Sequence, residues 1–108
     1  MYDDVYVRRV AADENAASNG LVSNAVSVRV HKVSIVGALS NATSVNIHDD
    51  TNASNALLIK AQLSTSPAFA GTFELYAEAT FGPPIAFNTG ISLDLTGTGA
   101  VVYLYYTR

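Results

Sequence analysis

Turn-forming clusters interrupt this chain at short, regular intervals: "AADENAASNG", "GALSNAT", "HDDTNASN", "STSPAFAG", "FGPP", "FNTG" and "TGTG". The segments between them are brief, rich in Val, Ile, Leu, Tyr and Thr, and show no sustained helical periodicity. Such side chains suit a pleated, half-buried surface, and frequent turns leave no room for long helices. The spacing predicts an all-β fold. At 108 residues it predicts one single-domain antiparallel β-sandwich, jelly-roll-like, with seven or eight short strands.

The individual segments sharpen this. Val5 and Val7 alternate with Tyr6 and Arg8 in a short first strand, and residues 1–20 read as a partly extended N-terminal arm. "ENAASNGLVSNAV" admits a short helical turn, against its Asn and Gly content. Val26, Val28 and Val30 share one phase, whereas Val33 and Ile35 share the other. A slip of one residue reverses every later side chain, so a β-bulge is expected at His31–Lys32. Val45 with Ile47 marks another strand, and "ALLIKAQ" the next. In "TFELYAEAT", Phe73, Leu75, Ala77 and Ala79 are expected inward, with Glu74, Tyr76 and Glu78 outward. Pro83 and Pro84 donate no ladder hydrogen bonds, which makes "FGPP" a crossover or a strand edge. Ile91, Leu93 and Leu95 form one face of the penultimate strand. Gly97 and Gly99 suit a tight hairpin pairing residues 91–95 with residues 100–106.

Candidate chemistry is sparse. There is no cysteine, so no disulfide or thiolate site can form. His31 and His48 fall on different strands without a third histidine, and His48-Asp49-Asp50 reads as a strand end entering a turn. "HDDTNASN" lacks the central glycine and terminal glutamate of an EF-hand loop, so Asx-turn chemistry accounts for it. Glu74 and Glu78 lie ~13 Å apart at the strand rise, too far for a glycosidase pair. No Gly-x-Ser-x-Gly elbow and no phosphate loop occurs. The reading is a non-enzyme without cofactor or metal. A net charge of −3 with scattered cations argues against nucleic acid, and no apolar run approaches a membrane span. Only 14% of residues are charged, a low share for a monomer's surface.

The closing segment explains where that surface goes. From Val101 to Tyr106 every residue is apolar or aromatic, so the strand has two apolar faces. Leu104 and Tyr106 belong to the core, while Val101, Tyr103 and Tyr105 are surplus. A contiguous apolar patch on the outside of a sandwich marks an interface, and tyrosine is enriched there. Burying three such side chains contributes on the order of 5 kcal/mol before association costs. The residues therefore predict a homo-oligomer meeting through Val101, Tyr103 and Tyr105.

The end of the chain, "FGPPIAFNTGISLDLTGTGAVVYLYYTR", also resembles a C-terminal pattern of small bacteriophage virion structural proteins. The matching positions are Phe87, Gly90, Ile91, Leu93, Gly97, Val102, Tyr103 and Tyr105, within about a quarter of the chain. The resemblance implies a capsid decoration (cement) protein, in the virion after assembly in the host cytoplasm. A trimer and a major capsid protein partner are expected on the same ground. Tyr2, Tyr6, Arg8 and Arg9 are then the candidate contacts with an acidic capsid surface. The competing reading is a glycan- or receptor-binding β-sandwich, which predicts aromatic and Asn/Asp residues converging on one exposed loop end.

Overall fold

A computed structural model describes residues 4–13, 27–38, 42–50, 56–63, 74–97 and 99–108. Seven strands follow one another among them: β1 (Tyr6–Val10), β2 (Val28–Ala38), β3 (Thr43–His48), β4 (Leu57–Leu63), β5 (Glu74–Phe87), β6 (Ser92–Thr96) and β7 (Val101–Thr107). They form an antiparallel β-sandwich. One sheet runs β1-β7-β2-β5 and the other β4-β3-β6. An eight-stranded jelly roll pairs its first, eighth, third and sixth strands in one sheet, and its second, seventh, fourth and fifth in the other. The observed order matches that scheme, with only the position beside β6 not filled by a described strand. Residues 14–26, including the candidate helical turn, lie outside the described residues.

The expected bulge is present. Val30 pairs with Tyr106 and Lys32 with Tyr105, so His31 is the extra residue on β2. Because of it, Val28, Val30, Val33 and Ile35 all face the core despite their two phases. The His31 Nε2 lies 2.8 Å from the Thr107 Oγ1, which joins the bulge to the end of β7. β5 answers with its own irregularity, since Thr80 pairs with Lys32 but Ile85 with Val30. Gly82, Pro83 and Pro84 occupy that step, at the edge of the sheet where missing donors cost nothing. "FGPP" is therefore a strand edge, not a crossover.

One expectation fails for a physical reason. The hairpin between residues 91–95 and 100–106 does not form: β6 pairs with β3, and β7 with β1 and β2. Both edges of β7 are taken by longer-range ladders, so β6 has no free edge to join. The "TGTG" turn instead carries the chain from one sheet to the other. It does use glycine at positive φ, +121° at Gly97 and +70° at Gly99. In β1, the inward residue is Val10, while Val5 and Val7 are exposed. β1 is a short edge strand, and its first residues overhang the core.

Val10, Val28, Val30, Val33, Ile35, Val45, Ile47, Phe87, Ile91, Leu93, Val102 and Leu104 fill the space between the sheets. Ala77 and Ala79 point the expected way but stay exposed, because β5 and β4 are both edge strands and the sandwich gapes between them. The gap is a groove of about 330 Å³ lined chiefly by Ile35, Ile59, Ala61, Ala77, Ala79 and Phe81. Phe73 lies outside the described residues.

One carboxylate holds the end of the sandwich together. The Asp49 Oδ1 accepts hydrogen bonds from the backbone N–H groups of Asn88 (3.1 Å), Thr89 (2.8 Å) and Gly90 (3.2 Å). The Ser92 Oγ donates to the Asp50 carbonyl at 2.9 Å. Asp49 and the "FNTG" segment, 40 residues apart, thus meet at one corner. Asp49→Ala leaves three N–H groups without their acceptor and is expected to lower stability by about 1–3 kcal/mol, read from urea unfolding. Asp49→Asn, which keeps an oxygen there, should recover part of that loss.

Candidate docking face

The alternation of β7 divides its side chains as expected: Val102, Leu104 and Tyr106 are buried, and Val101, Tyr103 and Tyr105 are half-buried on the outer face. β7 is interior to the four-stranded sheet, so cross-strand neighbours flank all three. Register places Val7, Tyr105, Lys32 and Thr80 in one row across β1, β7, β2 and β5. Arg9, Tyr103, Ser34 and Glu78 form the next row, and Val101, Val36 and Tyr76 the third. The face is both aromatic and charged.

A polar network crosses it. The Lys32 Nζ lies 2.8 Å from the Glu78 Oε2. The Tyr76 hydroxyl donates to the same carboxylate and lies 3.1 Å from the Ser34 Oγ. Ser34 is fully buried although it points outward. The Lys32 ammonium also sits 5.0 Å from the centre of the Tyr105 ring, within cation–π range. This network explains why the surplus face is only half exposed: the long side chains of β2 and β5 lie across it. The bulge creates it, since placing Val33 inward necessarily sends Lys32 and Ser34 outward.

The hydrogen bond to Glu78 raises the Lys32 pKa, and the bonds from Lys32 and Tyr76 lower that of Glu78. The Glu78 contribution is complete above its ordinary value of 4.5 and is lost as pH falls through the lowered one. The Lys32 contribution is complete below 10.5 and is lost as pH rises through the raised one. The bridge is therefore intact throughout the neutral range. An NMR titration should place Glu78 below an ordinary glutamate. Lys32→Met should return it most of the way, and adding Tyr76→Phe the remainder; an unmoved Glu78 would show that the bridge does not persist in solution.

Of the other described candidate contacts, Arg9 alone shares this face. Tyr6 and Arg8 point to the same side of β1 as the buried Val10, whereas Arg9 points outward beside Tyr103. Tyr6 stacks on Tyr106 at 5.5 Å, and the Arg108 guanidinium lies 5.7 Å and 6.0 Å from the two rings. Tyr2 lies outside the described residues. Sequence reasoning passed over Lys32, Ser34, Tyr76 and Glu78 as one unit, although the predicted bulge and the outward phase of β5 together encode it. Arg9 and Arg29, both exposed on the outer face, have no ionic or hydrogen-bonding partner among the described residues.

His31 and His48 stand in different sheets, and no group of three potential metal ligands occurs among the described residues. Comparisons with family models, with curated proteins and with solved structures found no match.

Proposed function

We propose that the chain is a structural virion protein, a capsid decoration (cement) protein that self-associates and reinforces the major capsid lattice. The reading rests on the outer face of the four-stranded sheet. Val101, Tyr103 and Tyr105 form an aromatic strip there, flanked by Val7 at 55% and Tyr76 at 57% exposure. A strip of that composition, rimmed by arginines, has the make-up of a protein–protein contact. Low charge content and the virion-protein pattern at the C-terminal end support the same reading. A trimer, in which each copy repeats the contact around a closed axis, is the expected state.

The glycan-binding alternative has less support. Tyr76, Tyr103 and Tyr105 lie along a sheet face, and Tyr6 stacks on Tyr106 on its other side, so the described tyrosines do not converge on a loop end. The groove between β4 and β5 is mainly apolar, with few of the convergent polar groups a sugar requires.

Cryo-EM of assembled particles tests the proposal. It predicts sandwich-shaped density in regular copies on the outside of the shell, with the β7 face buried between copies. Particles that carry the chain nowhere on the shell would overturn it.

A further inference from the structure

Building on that self-association, we infer that the contact between copies is heterologous: the cationic face around β7 seats on the acidic outer face of β6 in the next copy. Two features of the molecule complement each other. The first is the outer face of the four-stranded sheet, where Arg9 and Arg29 point outward without partners among the described residues. Glu78 on the same face is already engaged by Lys32. A two-fold contact of this face with itself would gather the unpaired guanidinium groups of both copies in one interface, and like charges there are costly.

The second feature lies on the opposite sheet. Asp94 is exposed on the outer face of β6, and exposed Asp13 is held beside it, its Oδ1 accepting the Leu95 N–H at 2.7 Å. Across the β3–β6 pair, Asn46 stands next to Asp94. This surface carries exposed carboxylates, and the cationic face carries exposed guanidinium groups. Guanidinium is the group best suited to join them, because it presents several N–H donors to a carboxylate in one plane. Lys60, two strands from Asp94, offsets only part of the negative charge. A contact between two different surfaces cannot close as a symmetric dimer; it builds a ring where the rotation between copies closes and an open filament where it does not. The proposed trimer is one such ring.

The test is sedimentation equilibrium of the full chain at low and high salt. Arg9→Glu/Arg29→Glu and, separately, Asp94→Arg should each weaken self-association by about tenfold or more, with circular dichroism unchanged. The combined variant, Arg9→Glu/Arg29→Glu/Asp94→Arg, should recover most of the wild-type association. Wild-type association should itself weaken as salt rises. If the wild type oligomerises but Asp94→Arg has no effect, the heterologous contact is wrong while self-association stands. If the arginine variant keeps its mass but no longer binds particles, the face docks on the lattice, and the inference is again wrong. A wild type that is monomeric throughout removes the underlying reading as well.

Discussion

Phe87→Ala is expected to destabilise the protein more than any other single truncation in the core. Phe87 is the largest fully buried side chain among the described residues, and it ends β5 opposite Val28 between the two sheets. Removing the ring from so tight a site costs about 3–5 kcal/mol, from lost transfer energy and the cavity left behind. A domain of this size has a total stability of about 5–15 kcal/mol, so the loss is a large fraction of it. The position also sets the "FNTG" corner, one residue before the N–H groups that Asp49 accepts. Thermal unfolding should show a midpoint lower by about 15–25 °C. Phe87→Leu, which refills most of the space, should recover over half of the loss. A shift of only a few degrees for Phe87→Ala would mean that the sheets do not pack as described.

Gly97→Ala should be nearly as damaging, for a different reason. Gly97 has φ at +121°, a conformation that residues with a Cβ almost never adopt, and forcing one there costs about 1–3 kcal/mol. Space adds to the strain. A Cβ at Gly97 would come within 2.8 Å of both the Ala42 carbonyl oxygen and the Thr43 Oγ1. Thr43 cannot withdraw easily: it is fully buried, and a Cβ at Gly37 would lie 2.6 Å from its Cβ and Cγ2 on the other side. Overpacking of this kind costs about 1–3 kcal/mol more, for a total of about 2–6 kcal/mol by urea unfolding. Gly99→Ala offers the internal comparison. Its φ is also positive, but no atom lies within 4 Å of where the Cβ would go. It should lose only the conformational part. Equal losses at the two positions would contradict the close approach of the "TGTG" corner to Thr43.

These two sites also mark what local sequence discloses. Strand positions and facing were legible wherever a residue's immediate neighbours decide them, as with the bulge at His31 and the inward faces of β3, β6 and β7. Strand pairing was not. "TGTG" between two strands has the composition of a hairpin, and nothing within residues 91–106 signals that β1 and β2 take both edges of β7. That competition is non-local, and the losing pairing leaves no mark in the chain. The docking face was legible in part. Val101, Tyr103 and Tyr105 follow from the two apolar phases of one strand, but Lys32, Ser34, Tyr76 and Glu78 join them only when β2 and β5 are placed alongside. Arg8 and Arg9 seem one basic pair in sequence, yet adjacent residues of a strand face opposite ways, so only Arg9 lies beside Tyr103.

The same face carries the central claim, that this protein is one part of a larger assembly built through β7. Solution mass by sedimentation tests it most directly, comparing the unaltered chain with Tyr103→Ser/Tyr105→Ser. The unaltered chain is expected to sediment as a multiple of 11.4 kDa, a trimer by preference, and the variant to fall to a folded monomer. An unaltered chain that stays at 11.4 kDa at every concentration, or a variant whose oligomeric mass does not change, would contradict it.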